Sequence, residues 1–209
     1  MNMNQFTQKT IEALQNAQRL AVEYSNQTVE QEHLLAALAQ QQDGLIPQLL
    51  HAMGVEPGTF ATAATEKVAA LPRVTGSGRD PDKVYISGDL DRALNAAESQ
   101  AKQMKDEYIS VEHVFLGILQ RPGKAAGELF RQFGITTEKF MQQLSTVRGN
   151  QRVTSDNPEE TYNALKKYGQ DLVEMARQNK RDPVSGRDSE IRNVIRMLSR
   201  KRKNNPVLI

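Results

Sequence analysis

The chain has 209 residues, 38% of them hydrophobic and 5% aromatic, with no Trp and no Cys. This suits one large or two small helical domains with an Ala/Leu/Met core, and it excludes disulfides, zinc ribbons and thiol catalysis. The formal net charge of +2 is uneven: residues 161–209 carry 12 Lys/Arg against 5 Asp/Glu, and residues 1–160 carry 15 against 20. Two units of different character are expected.

In chain order, "MNMNQFTQKT" has no signal-peptide pattern, and no apolar run reaches membrane-spanning length. A soluble, cytoplasmic protein is expected. Thr7 is a good N-cap for a first helix carrying Ile11, Leu14, Ala17 and Ala21 at helical spacing. A second helix is expected over about 30–41, with Leu34, Leu35 and Leu38 inward. A short third helix runs to Met53 and stops at Gly54, a residue suited to the left-handed C-terminal position. Pro57 belongs in the first turn of a fourth helix, which ends before "LPRV". "PRVTGSGRDPDK" then reads as an aperiodic connection.

The plan now repeats at a constant offset of 80 residues. "ALQNAQRLA" (13–21) matches "ALNAAESQA" (93–101), and "QEHLLAAL" (31–38) matches "VEHVFLGI" (111–118). "LLHAMGV" (49–55) matches "LFRQFGI" (129–135), and Phe60 matches Phe140. Four matches in one register predict a tandem duplication over 1–148, a four-helix unit used twice in an all-α fold. In the second copy Ser87 or Asp89 caps, Ser110 caps, Gly134 stops, and Thr137 begins the last helix. Residues 149–160, including "TSDNPEE", read as a linker that also starts a helix, with Asn157 as cap and Pro158 at its first position. That helix carries Leu165, Tyr168, Leu172 and Met175. Asp188 caps a final helix with Ile191, Ile195 and Leu198 inward and Arg192, Arg196 and Arg200 outward. "NNPVLI" reads as a buried strand.

Catalytic patterns are scarce. His33 and His113 occupy equivalent positions, each one residue after a glutamate, and are read as histidines of the second helix's first turn, satisfied by backbone or by the neighbouring carboxylate. No His-Glu-x-x-His spacing exists, so no metal site is expected. "TGSG" lacks the strand before it and the Lys-Ser/Thr after it that a phosphate loop needs. Asp106, Glu107 and Glu112 gather at the turn into the sixth helix, either as solvated helix-start carboxylates or as an acidic rim on a groove. A seam between the two first helices, with Ala93, Leu94 and Ala97 facing Leu14 and Ala17, offers a shallow apolar groove for short peptides. Each of these residues, taken singly, reads equally well as plain core.

"FTQKTIEALQNAQRLA", the repeated "EH" helices, the stops at Gly54 and Gly134, and above all "DPVSGRDSEIRNVIRMLSRKRKNNPVLI" resemble the N-terminus of ClpB-type AAA+ disaggregases. The resemblance covers essentially the whole chain: a Clp N-terminal domain over 1–148 and the incomplete start of a first AAA+ α/β module over 161–209, two helices and one strand. It implies a domain that engages exposed apolar segments of unfolded or aggregated polypeptides and passes them to a hexamer pore, working with a DnaK-type chaperone system. By resemblance Thr7, Asp106 and Glu112 take part in substrate handling, and Leu94 and His113 line the apolar groove, to which the seam reading adds Ala93. The loop carrying Val184 and Ser185 matches an adenine-contacting loop, although Ser185 stands where the family pattern has Ile. ATP and Mg2+ are implied for the longer family members; this sequence has no G-x-x-x-x-G-K-[ST] and is not expected to hydrolyse ATP.

Two rival readings have distinct signatures. An adaptor-docking domain, as in protease-linked Clp proteins, binds folded partners. A nucleic-acid binder acting through 192–203 shows steeply salt-dependent affinity; neither nucleic acid nor membrane is expected as a partner.

Overall fold

Thr7 accepts a hydrogen bond from the Thr10 amide and opens α1, Gln8–Glu23. Its buried stripe of Thr10, Ala13, Ala17 and Ala21 is built from small side chains, so α1 sits close on its neighbour. The computed structural model describes residues 3–74, 84–149, 151–158, 175, 177, 186–202 and 205–206. The elements that follow are β1 (Thr28–Val29), α2 (Gln31–Ala39), α3 (Leu45–Ala52) and α4 (Pro57–Ala69), then β2 (Tyr85–Ile86) and α5 (Gly88–Met104). α6 (Val111–Gln120), α7 (Lys124–Gln132) and α8 (Thr137–Arg148) complete the second copy, and α9 spans Asp188–Leu198.

The expected punctuation is present. Gly54 and Gly134 have φ of +78° and +62°, the left-handed geometry that lets a chain leave a helix without a Cβ clash. Pro57 stands in the first turn of α4, and Ser87 caps α5 by accepting from the Leu90 amide. Ser110 caps α6, and Thr136 caps α8, which begins at Thr137.

The chain divides into units Met1–Asn163 and Ala164–Ile209. In the first, the two copies are interlocked. β1 pairs in parallel with β2, Thr28 with Tyr85 and Val29 with Ile86. An isolated parallel bridge joins Phe6 to Ile109. Phe6 and Ile109 are the offset-80 equivalents of Ile86 and Val29. Each copy's lead-in to its first helix therefore pairs with the other copy's lead-in to its second helix. Helices cross over too: α3 packs on α6 and α8, and α7 packs on α2 and α4. The aromatic core spans the copies: Phe115 stacks on Phe140 with ring centres 4.8 Å apart, and Phe60 lies 6.4 Å from Phe115 and 5.2 Å from Phe133. Two side-by-side bundles with a seam between their first helices are not what forms; α1 packs on α2, and α5 packs chiefly on α6.

In the second unit, α9 forms, but Ile191, Ile195 and Leu198 are exposed, Ile195 by 57% and Leu198 by 55%, and the helix buries no residue. They do not face inward as expected: among the described residues nothing covers this face. Met175 and Arg177 are helical, but most of the helix expected after Asn157, the strand from Pro206, and Val184 and Ser185 lie outside the described residues.

Candidate functional site

Of the residues expected at a site, Thr7, Asp106, Glu112 and His113 meet at one corner, where the start of α1 meets the turn from α5 into α6, while Ala93 and Leu94 stand farther along α5, beside Gly117 of α6. Their side chains are buried. His113, in the first turn of α6, accepts the Ser110 amide at Nδ1 over 3.0 Å. That bond places the imidazole proton on Nε2, which donates to Asp106 Oδ2 at 3.0 Å. Asp106 also receives the Arg148 guanidinium on Oδ1 and the Val153 amide at 2.9 Å. Burial pushes the Asp106 carboxyl up, but the bonds from His113, Arg148 and Val153 outweigh it and hold its pKa down at about 2.

Glu112 is fully buried, and neither carboxylate oxygen accepts a hydrogen bond among the described residues. Arg148 Nη1 stands 3.6 Å from Glu112 Oε1, so one guanidinium serves two carboxylates. Thr7 joins the corner through its amide, which donates to Ile109 O at 3.1 Å. The three acids expected together do not share one environment: Asp106 and Glu112 have fully buried side chains, while Glu107 is exposed. Neither solvated carboxylates nor an acidic groove rim describes Asp106 and Glu112. Their burial follows from Arg148, 42 residues beyond Asp106, a partner no local pattern signals.

The first copy repeats the corner in neutral form. His33 accepts the Glu30 amide at 3.0 Å, and its Nε2 meets Asn26 Oδ1 at 3.0 Å. Burial drives the His33 pKa down to about 4, against the pull of Glu30 and its amide. Both histidines sit in the first turn of a second helix and bond to backbone, as expected. Their second partner is the residue seven earlier, Asn26 or Asp106, and not the adjacent glutamate.

Ala93 and Leu94 are 1% and 2% exposed, and Ala97 and Ala17 are fully buried. They do not line an open groove. At Gly117 an added Cβ would come within 2.2 Å of Ala93 O, so α5 and α6 approach with almost no gap. Ala93 and Ala97 are small because a backbone passes over them. An open depression of about 760 Å3 lies on the outer face of α5, lined by Arg92, Asn95, Ser99, Gln103 and Arg121 among others. No group of three or more His, Asp or Glu side chains suited to a metal ion occurs among the described residues, and no described helix is long and apolar enough to cross a membrane.

Residues 5–133 match the model of the Clp repeat N-terminal domain. The whole chain is 50% identical over 210 residues to chaperone protein ClpB of Nitratidesulfovibrio vulgaris and 51% identical over 209 residues to that of Bacillus cereus. It spans 24% of the length of each of these relatives. Among solved structures, the Hsp104 N-terminal domain of Candida albicans shares 25% identity at a TM-score of 0.63, covering 72% of this chain and 96% of that one. The N-domain of ClpV from Vibrio cholerae shares the fold at a TM-score of 0.55 and 19% identity, covering 68% of this chain and 84% of that one. The interlocked double repeat and the family match agree, and the chain belongs to the Clp repeat N-terminal domain family.

Proposed function

We propose that the chain is a substrate-recognition domain of a chaperone, binding exposed apolar segments of unfolded or aggregated polypeptides and handing them to an AAA+ hexamer. The observation that carries this reading is the 50% identity to a ClpB chaperone along the full 209 residues. Partnership with a DnaK-type chaperone system belongs to the same reading. Thr7, Asp106, Glu112 and His113 serve it by fixing the shape of the corner between α1 and the α5–α6 turn, and Ala93 and Leu94 by fixing the packing of α5, because their side chains are buried. Apolar side chains that the surface of the first unit offers for direct contact include Tyr85 and Ile86, exposed by 60% and 54%.

Such contacts are weak. At about 25 cal/mol per Å2, a few hundred Å2 of apolar burial yields several kcal/mol before ordering costs, which corresponds to roughly micromolar affinity or weaker. The domain itself is non-catalytic in this reading. The sequence contains no G-x-x-x-x-G-K-[ST] to cradle ATP phosphates or the Mg2+ that accompanies them, so no nucleotide step is assigned to it.

The test is a titration of the folded chain with a reduced, carboxymethylated protein that stays unfolded, followed by fluorescence anisotropy. Saturable binding is expected, with at least about threefold loss when Tyr85 and Ile86 are both changed to Ser, a loss of roughly 0.7 kcal/mol or more. Absence of binding to any unfolded chain, with helicity intact, overturns the reading and leaves docking of a folded adaptor in its place.

A further inference from the structure

Residues 151–156 fall in the stretch that reads as a linker, yet they are fastened to the first unit along their length. Arg148 Nε donates to Gln151 O at 2.7 Å. The Val153 amide donates to Asp106 Oδ1 at 2.9 Å, and Val153 O accepts the Glu107 amide at 2.9 Å. Asp156 takes two bonds from Gln8: the backbone amide to its carbonyl at 2.8 Å, and Gln8 Nε2 to its carboxylate at 2.9 Å. Between these anchors the Val153 side chain is fully buried. The segment lies beside the Phe6–Ile109 bridge, tying the start of α1 to the α5–α6 turn from outside.

The first copy contains the same device. Asn26, the equivalent of Asp106, donates from Nδ2 to Pro72 O at 3.1 Å, and the Val74 amide donates to Ser25 O at 2.8 Å. In both copies, then, the residue that bonds the helix-capping histidine also holds the chain leaving the fourth helix. The chemistry differs. Asn26 offers a neutral amide to a carbonyl. Asp106 offers a charge, shared between a backbone amide, a histidine and an arginine that itself grips the departing chain.

We infer that Asp106 and Arg148 form a latch that docks Gln151–Asp156 as a strap, so that the chain is still held on the first unit at Asp156, beside the start of α1, and does not leave it at Gly149, where α8 ends. Asp106 is thereby a positioning residue for the strap. Release of the strap frees residues 151–156, a reach of up to roughly 20 Å at about 3.3 Å per residue. The inference stands apart from the proposed substrate binding and needs no substrate to test.

The experiment is amide exchange of the whole chain at neutral pH, resolved to short peptides by mass spectrometry. In the unchanged protein the amides of Glu107 and Val153 exchange at least about tenfold more slowly than in an unstructured chain. Asp106→Ala abolishes that protection while the amides of α6 keep theirs. Val153→Asp gives the same result with the Asp106–His113–Arg148 group intact, and it decides the matter if Asp106→Ala fails to fold. Unprotected Val153 and Glu107 amides in the unchanged chain overturn the inference, as does protection within about twofold of the original in Val153→Asp.

Discussion

The histidine at the start of each second helix does the work that Glu or Gln does in a capping box, accepting the N-cap amide through Nδ1. Only a neutral imidazole has that lone pair, so protonation breaks the cap. With the folded His33 pKa near 4 and the ordinary value at 6.5, the unfolded chain binds more protons between those limits. Stability from this residue is complete above about pH 6.5 and is lost as pH falls toward 4. His33→Gln keeps a cap acceptor and cannot charge; chemical denaturation at pH 7 and pH 5 should show a smaller stability difference than in the unchanged chain, by on the order of 1–2 kcal/mol. Asp106 acts in the same direction at lower pH: its contribution is whole above about 3.8 and fades toward 2. Glu112 is a different case, since the one guanidinium near it is already committed to Asp106. Glu112→Met should cost less than about 1 kcal/mol by thermal denaturation, whereas Arg148→Met, which strands two buried carboxylates, should cost roughly 3–5 kcal/mol. The histidine caps were legible from local spacing. Arg148 was not, because a buried ion pair across 42 residues leaves no periodic trace.

At the scale of elements, capping and termination followed local rules. Thr7, Ser87, Ser110, Pro57, Gly54 and Gly134 all stand where side-chain acceptors or backbone freedom require them. What local rules missed is how closely the elements approach. Ala93, Leu94 and Ala97 fit an open shallow groove or a tight helix contact equally well as a sequence pattern; Gly117 decides for the contact. Gly117→Ala should destabilise by about 1–3 kcal/mol or more, because the new methyl meets backbone and not a flexible side chain. Leu94 changed to a charged residue should unfold the domain by circular dichroism, which makes it unsuitable as a binding probe. α9 shows the converse: its apolar stripe at 3.6-residue spacing forms a helix, yet the stripe remains exposed, since periodicity specifies a face and not its cover.

At the scale of the molecule, the duplication makes one cooperative body. Gln31 of the first copy donates to Asp89 O at 2.9 Å and Arg121 O at 2.8 Å, and accepts the Gly123 amide at 2.8 Å, all in the second copy. Its offset-80 equivalent is Val111, so this stitch occurs once. Gln31→Ala leaves three backbone groups without their partner and should cost about 2–3 kcal/mol, with denaturant unfolding remaining a single transition of unchanged m-value. Two separated transitions would show that the copies fold as independent bundles. The sequence by itself determined the duplication, the helix ends, the family and the charge division between the units, because these depend on residues within a few turns of one another or on repetition at a fixed offset. The tertiary structure alone decided that the copies exchange strands and helices, that the expected site residues are buried, and that part of the apparent linker is a docked strap. Those features rest on pairings between segments distant along the chain, such as Phe6 with Ile109 and Asp106 with Val153, and local pattern carries no record of which distant partner a residue will meet.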